Sequence, residues 1–450
     1  MKKKLLALTL AAMSALTVMG GLAACDSGNV DNGSGELVVW APAAAHDIYK
    51  ELVKEWQTET HHENWTVTFE ARSEGECETD FGSDPAAGAD VFFFESGNFL
   101  SMKEKLYLQE FDQATTDKIK ARDGDNANSI IDSKSGLAWA FPATADNGYF
   151  LWYDKTFFTD VSQVASLDDM LAKINEYNKG KPDTAQKKFA FSYDDGWYQT
   201  SWFIGTGCEL DWITGTKNYY TNIHTTPEGY GAGLASIKYN SNPAVITGDD
   251  GVKTAGFYNG TIVAAAGGSW IQSTLQTLFT EDKGNKDRTY AEVMAAAKLP
   301  TFKTTVSGVE KEFQMGSFQG NKYCGVNRYK NNKASIQASI SLADYLTSER
   351  GQTLRYAGIP EKDLKGTGAI PSNTNAANMD AVKNDMCAKA LMEQNNLGGY
   401  EQLSQDGLWE AMKAFGIGTH DGTITETNLQ AELNKLATAM AKGGKLVTTK

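Results

Sequence analysis

Short apolar runs and helical stretches alternate between residues 37 and 106. The run 37–40 (LVVW) predicts a buried strand, and apolar residues then recur at helical spacing through about residue 61. Further strands are predicted at 65–69 and 91–94, and a helix at about 98–106. Because neighbouring parallel strands need a crossover connection, this order predicts an α/β fold with a mostly parallel sheet and helices on both faces.

The length of the chain predicts two lobes. Its 450 residues exceed one typical domain, and no Pro-rich or Ser-rich linker divides the middle. We therefore expect the chain to cross between the lobes more than once, through short segments that act as hinges.

Charge and composition exclude several classes of protein. The 42 Lys and Arg residues stand against 56 Asp and Glu, and the net charge of −14 would repel a nucleic acid backbone. The chain has five His, five Cys and no CxxC pair, so a Cys/His zinc site or an iron–sulfur cluster has little material. We expect no nucleic acid partner, no metal and no cofactor.

The N-terminus has the pattern of a secretory signal peptide. Three lysines at positions 2–4 precede an apolar run over 5–18 that is too short to span a bilayer. The sequence 22–25 (LAAC) resembles the lipobox of bacterial lipoproteins, which implies cleavage after residue 24 and lipidation of Cys25. The alternative is ordinary cleavage with Cys25 incidental. Small polar residues up to 35 predict a flexible tether.

Four other cysteines are Cys77, Cys208, Cys324 and Cys387. Four cysteines allow three pairings, between which the sequence does not choose. Buried free thiols are an equally good interpretation, because an isolated Cys is commonly a small buried hydrophobe.

The common enzyme motifs are absent from the sequence. It has no GxGxxG, GxxxxGK[ST], HExxH or GxSxG pattern. Glycoside hydrolysis needs only two suitably placed carboxylates, so it stays open, and the adjacent Asp194 and Asp195 are candidates.

Aromatic residues give the positive indication of function. The chain has ten Trp, 18 Tyr and 20 Phe, and several lie beside small or carboxylate residues at the ends of predicted elements. A pyranose has apolar C–H faces that suit an aromatic ring, and hydroxyl groups that need polar partners once water is removed. This composition is compatible with a sugar-binding site.

Several segments, in their order along the chain, resemble the extracellular solute-binding proteins of bacterial ABC importers, and in particular the maltose/maltodextrin-binding group. The segments are 37–40 (LVVW), 89–94 (ADVFFF), 141–155 (FPATADNGYFLWYDK), 267–270 (GGSW), 299–302 (LPTF), 314–318 (QMGSF) and 347–351 (TSERG). The resemblance implies a two-lobed periplasmic-binding-protein-like fold of type II, with a ligand cleft between lobes joined by hinge segments.

The resemblance also implies a division of the chain. The expected parts are a signal peptide (1–24), a lipidated N-terminus and tether (25–35), lobe 1 (36–143 plus 301–347) and lobe 2 (148–297 plus 352–450). Hinge crossings are expected near 143–147, 298–301 and 347–351.

Ligand-binding residues follow from the same comparison of motifs. In the first lobe, Phe94 and Glu95 match the end of a strand whose following residues meet the ligand, with Asn98 close behind. Asp146 and Asn147 match the acid at a hinge, which would accept hydrogen bonds from sugar hydroxyls. Three tryptophans match positions that contribute aromatic rings: Trp197, Trp270 and Trp409.

The sequence departs from the family pattern at two places in the first lobe. The segment 43–45 (AAA) lacks the polar pair of the maltodextrin binders, and 96–98 (SGN) replaces charged residues of the family.

The resemblance as a whole implies a monomeric, lipid-anchored receptor at the extracellular face of the membrane. Such a receptor binds maltooligosaccharides and delivers them to ABC permease subunits, without catalysis. The alternatives are a receptor for another oligosaccharide, a lipid-anchored glycoside hydrolase and a surface adhesin.

Overall fold

The computed structural model describes residues 33–449 apart from 83, 214–215, 217, 282–287, 331, 398–399, 402–405 and 443. The predicted signal peptide, Cys25 and most of the predicted tether lie outside the described residues. Among the helices that are described, none has both the length and the apolar character needed to cross a membrane.

The first sheet has five strands. Their order across the sheet is Trp65–Ala71, Gly35–Ala41, Val91–Glu95, Lys322–Val326 and Phe141–Thr144. The first three pair in parallel, as the alternation of strands and helices predicts, and Lys322–Val326 runs antiparallel to both its neighbours. The helices around this sheet are His46–Glu59, Cys77–Phe81, Phe99–Glu104, Gln113–Asp123, Lys333–Leu346 and Glu349–Ala357.

A second sheet also has five strands. Their order is Met294–Ala297, Phe150–Asp154, Ile262–Gly267, Lys188–Ala190 and Val245–Ile246. The longer helices that accompany it are Leu167–Asn178, Pro227–Asn240, Asp250–Asn259, Gln272–Glu281, Met386–Asn395, Asp406–Asp421 and Leu429–Met440. Its shorter helices are Gly196–Gln199, Ser201–Gly205, Tyr290–Val293, Thr374–Ala377 and Asp380–Asn384. Both sheets carry helices, so the α/β fold class is confirmed.

The remaining elements are short. Paired strands are Thr301–Val306 with Val309–Gln314, Phe318–Gln319 with Tyr400–Glu401, Gly358–Ile359 with Leu364–Lys365, and Lys445–Val447 with Asn218–Thr221 and Leu210–Ile213. Single 3₁₀ turns or short 3₁₀ helices are Ala43–Ala45, Ser96–Asn98, Gly124–Ile130, Val161–Val164, Asp183–Ala185, Ser269–Ile271 and Pro360–Lys362.

Each sheet has its own hydrophobic core. The first core includes Leu37, Phe92 and Trp56, all fully buried, and the largest core of the second sheet includes Tyr149, Trp202 and Phe302. Each sheet buries large apolar side chains in clusters of its own, and this separate removal of apolar area from water is what forms two lobes.

The structure differs from the predicted division at the hairpin 301–314. Phe302 and Val306 of this hairpin are buried, Phe302 lies in the core of the second sheet, and the hairpin contacts helix Pro227–Asn240. Placing 301–314 in lobe 1 was therefore wrong, because the alternating apolar side chains of the hairpin pack on the second core. The chain returns to the first sheet later, between Gln314 and Lys322.

Two other crossings were predicted, near 143–147 and near 347–351. Five residues, 145–149, join strand Phe141–Thr144 of the first sheet to Phe150–Asp154 of the second. Helix Glu349–Ala357 still contacts helix His46–Glu59 of the first lobe, so the last crossing lies beyond residue 357 and not at 347–351. The other boundaries of the lobes stay predictions.

Candidate functional site

Side chains from both lobes surround a cavity of about 500 Å³. Its lining residues are Pro42, Ser73, Glu74, Gly75, Glu95, Asn147, Asp195, Trp197, Asp250, Trp270, Lys322 and Trp409. A second cavity of about 660 Å³ shares Glu95, Asp195 and the three tryptophans and continues toward Lys253 and Lys413. We call the two cavities together the cleft.

The topology of the first sheet places its contribution to the cleft. Pro42 directly follows the strand Gly35–Ala41, Ser73 follows Trp65–Ala71, and Glu95 ends Val91–Glu95. These strands are parallel, so their carboxyl ends meet at one edge of the sheet, where open α/β sheets commonly bind ligands.

The second lobe contributes an aromatic wall. Trp197 and Trp270 are half-buried and their ring centroids are 5.7 Å apart. Phe318 stacks on Trp197 at 6.2 Å and meets Trp409 edge-on at 5.3 Å. Phe318 therefore packs against both Trp197 and Trp409. All three tryptophans still line the cleft.

Local hydrogen bonds fix the orientation of this wall. The Asp195 side chain caps helix Gly196–Gln199 by accepting a hydrogen bond from the Trp197 backbone N–H at 2.9 Å. The indole Nε1–H of Trp270 donates to Asp250 Oδ2 at 2.8 Å. A Cβ atom at Gly196 would come within 2.1 Å of the backbone oxygen of Trp409, so only glycine fits between the two segments.

Four charged side chains form a buried network beside the cleft. Lys322 Nζ lies 3.3 Å from Glu74 Oε2 and 3.7 Å from Asp146 Oδ1, and Arg355 Nη2 donates to Glu74 Oε1 at 2.9 Å. Burial by itself would raise the pKa of both carboxyl groups, but Lys322, Arg355 and the hydrogen bonds outweigh burial and lower it. All four groups are therefore charged, and because two are acids and two are bases, the net charge of the network is zero.

Glu95 has a different environment. Burial is the largest influence on this carboxyl group, and the negative charges of Glu74 and Asp195 add to it, so the pKa of Glu95 rises to about 7 although Lys322 acts in the opposite direction. Burial also raises the pKa of Asp195, whose side chain is still open to solvent at the cleft. These two carboxyl groups face a cleft from opposite lobes.

This raised pKa predicts a pH dependence of stability. Between about pH 4.3 and 7 the unfolded chain loses the Glu95 proton while the folded protein keeps it, so the free energy of unfolding should fall as the pH rises through this window. Urea unfolding at pH 4.5, 6 and 7.5 should show Glu95→Gln gaining stability relative to the unsubstituted protein at the higher pH. The exposed Glu393→Gln is the control; a pH-independent difference for Glu95→Gln would contradict this expectation.

The structure brings together five of the eight predicted ligand residues. Glu95, Asn147, Trp197, Trp270 and Trp409 line the cleft. Their roles in binding stay predictions.

The other three predicted residues lie behind the wall of the cleft. Phe94 is fully buried against the ring of Tyr323, and Asn98 uses its Nδ2–H to bind the backbone oxygen of Gly75 at 3.0 Å. Asp146 is 1% exposed and accepts hydrogen bonds within the protein. These contacts favour structural roles, with Asn98 and Asp146 acting on the cleft through neighbours.

Several residues that line the cleft were not predicted from the sequence. Glu74 and Gly75 follow a predicted strand, as Glu95 does. Because ligands commonly bind beyond the carboxyl ends of parallel strands, this position would have identified both residues. Asp250 had no such signal, because the short strand Val245–Ile246 that precedes it was not predicted and it meets Trp270 only through the fold. Lys322 begins an antiparallel strand distant in sequence from its partners.

Comparison with known proteins identifies the family. A family model described as "Bacterial extracellular solute-binding protein" matches residues 51–390. The chain belongs to this family. No curated protein matches this solute-binding protein with significance.

Solved structures share its two-lobed α/β fold. A maltodextrin-binding protein of L. casei BL23 superposes with a TM-score of 0.71 at 20% identity, covering 91% of this chain and 99% of that one. The GacH receptor of Streptomyces glaucescens, solved unliganded and with acarbose, gives 0.71 at 18% identity, covering 92% and 100%. MalX of Streptococcus pneumoniae, solved with maltopentaose, gives 0.67 at 17% identity, covering 90% and 100%. The family and these neighbours are binding proteins.

Proposed function

We propose that this solute-binding protein captures maltooligosaccharides outside the cell and delivers them to an ABC permease. The observation that carries the proposal is the cleft itself, in which Trp197, Trp270 and Trp409 stand opposite the carboxylates of the first lobe. The names of the neighbours support it, because they mention maltodextrin, maltopentaose and acarbose.

The chemistry of the cleft suits a chain of pyranoses. Half-buried indole rings offer flat apolar faces to the C–H faces of the sugar rings. Asn147, Glu95, Asp195 and Asp250 offer amide and carboxylate groups to the hydroxyls, and each hydroxyl left unpaired in a closed site would cost about 1–3 kcal/mol. Stacking therefore supplies affinity, and the polar groups select among sugars.

The protein acts by binding and releasing its ligand. A ligand that contacts both lobes binds the closed arrangement better than the open one and shifts the population toward it, so a permease distinguishes loaded from empty receptor. Lipid at Cys25 holds the receptor, as a monomer, at the outer face of the membrane.

Calorimetric titration of residues 26–450 tests this function. We expect saturable binding of maltotriose and longer maltooligosaccharides with Kd near 1 µM, which corresponds to about −8 kcal/mol. Raffinose and xylooligosaccharides serve as controls. Heat of binding with a control sugar but not with the maltooligosaccharides would assign the receptor to another oligosaccharide. No heat of binding with any of these sugars would reject the proposal.

One observation keeps a second candidate, a glycoside hydrolase. Glu95 and Asp195 are two carboxyl groups that line a single cleft, and glycoside hydrolysis uses a pair of carboxyl groups that flank the scissile bond. Incubation with maltohexaose and chromatography of the products separates the two functions. Intact maltohexaose supports the receptor, whereas shortened products lost in Glu95→Gln would establish hydrolysis.

A further inference from the structure

Lys322 contacts three different parts of the molecule. It begins the strand Lys322–Val326 of the first sheet, its residue surface is 8% exposed, and it lines the cleft. Its ammonium lies 3.3 Å from Glu74 Oε2, 3.7 Å from Asp146 Oδ1 and 5.4 Å from the centroid of the Trp270 ring.

The three partners have different positions in the fold. Glu74 follows a strand of the first sheet and lines the cleft. Asp146 lies in the five-residue connection between the two sheets. Trp270 belongs to the aromatic wall of the second lobe. A single ammonium group therefore joins the first lobe, a connection between the lobes and the ligand-facing wall.

Asp146 continues this path to the second lobe. Its Oδ2 accepts a hydrogen bond from Ser269 Oγ at 2.8 Å, and Ser269 directly precedes Trp270. The same oxygen accepts from the backbone N–H of Ile370 at 3.1 Å, and Oδ1 accepts from Thr144 Oγ1 at 2.5 Å. The carboxylate thus holds the segment that carries Trp270 against the connection.

We propose that Lys322 is a positioning residue that couples occupancy of the cleft to the arrangement of the 145–149 connection. The coupling rests on the proposed function for its ligand, a sugar stacked on Trp270. It adds to that function a specific residue through which the lobes respond to the ligand.

The physical basis of the coupling is exclusion of water. A sugar ring on Trp270 displaces water near the Lys322 ammonium, and attraction between charges grows as the local dielectric constant falls. The contacts of Lys322 with Glu74 and Asp146 then become stronger in the closed, occupied cleft than in an open, wet one. This difference between the two arrangements is what a ligand needs in order to shift their populations.

A simpler role for Lys322 is neutralisation of Glu74 and Asp146 in the folded protein. In that case its replacement would lower stability and leave the arrangement of the lobes unchanged. Distance measurements between the lobes separate the two roles, because a residue that only neutralises charge does not change the distance between the lobes.

Spin labels at Glu76→Cys of the first lobe and Asn434→Cys in helix Leu429–Met440 of the second lobe, two exposed positions that do not line the cleft, report this arrangement. The background is the full chain with Cys25→Ser, and the four described native thiols are buried. Distance distributions are measured by pulsed electron resonance without sugar and with saturating maltotetraose. Lys322→Met removes the charge, Lys322→Arg keeps it, and Lys103→Met removes a different ion pair of the first lobe, with Asp132.

Coupling predicts that Lys322→Met at least halves the sugar-induced change in distance and weakens maltotetraose binding on the order of tenfold, within the usual range of coupling between sites. Lys322→Arg should retain most of both, and Lys103→Met should change neither. A destabilised Lys322→Met with an unchanged distance response would overturn the proposal.

The measurement without sugar separates this proposal from the proposed function. If the unsubstituted protein binds no maltooligosaccharide, the function fails, but an altered sugar-free distance distribution in Lys322→Met still supports the part of the proposal in which Lys322 sets the arrangement of the connection. In that case, a sugar-free distance distribution of Lys322→Met identical to that of Lys103→Met would overturn the proposal.

Discussion

Trp270→Ala is expected to weaken maltooligosaccharide binding by about 100-fold or more, as measured by calorimetric titration. This factor corresponds to about 2.7 kcal/mol, which is in the range of a buried aromatic hot spot. Trp270 stands at the centre of the contacts in the cleft, with Trp197 at 5.7 Å, the Lys322 ammonium at 5.4 Å and Asp250 bound to its indole N–H. Truncation removes a stacking face and leaves Asp250 without this donor.

Two further variants define the origin of the loss. Trp270→Phe keeps a ring but no N–H group, so it should bind more tightly than Trp270→Ala and less tightly than the unsubstituted protein. Tyr177→Ala removes an exposed aromatic ring of the second lobe that does not line the cleft, and it should leave Kd unchanged. Binding by Trp270→Ala within a factor of three of the unsubstituted protein would show that the sugar does not stack there.

The sequence predicted those parts of the fold that depend on local pattern. Residues 37–40 and 91–94 are continuous apolar runs because strands in the middle of a covered parallel sheet are buried on both faces. Such runs are visible in a single sequence. Glu95 follows one of these runs, but its place at the cleft was predicted from the resemblance to the solute-binding family and not from the run itself.

Contacts between distant segments could not be predicted in this way. The apolar alternation of 301–306 indicates a strand with one buried face, yet it does not say which core covers that face, and the hairpin joined the second core. Lys322 gave no signal, because its role depends on Glu74 and Asp146, which are remote in sequence. Asp146 was identified from its motif as a ligand-binding acid, while its oxygens accept hydrogen bonds inside the protein.

Asp146→Ala should lower the free energy of unfolding by about 3–5 kcal/mol, the usual cost of removing one partner from a buried ionic network. The carboxylate is 1% exposed and accepts hydrogen bonds from Thr144, Ser269 and Ile370, all of which would lose this acceptor. Lys322 would keep only Glu74 as a close anionic partner. Urea unfolding followed by circular dichroism at pH 7 measures the loss.

The acid range gives an independent check on the cause of this loss. Burial alone would raise the pKa of Asp146, but Lys322 and the hydrogen bonds lower it, so the carboxylate stabilises the fold above its unfolded pKa of about 3.9 and progressively less as the pH falls below that value. The difference between Asp146→Ala and the unsubstituted protein should therefore shrink in acid. Asp47→Ala removes the acid of an exposed pair with Lys50, which water screens, and should lower the free energy of unfolding far less than Asp146→Ala does. Equal losses for the two aspartates would mean that the buried network contributes no more to stability than an exposed ion pair does.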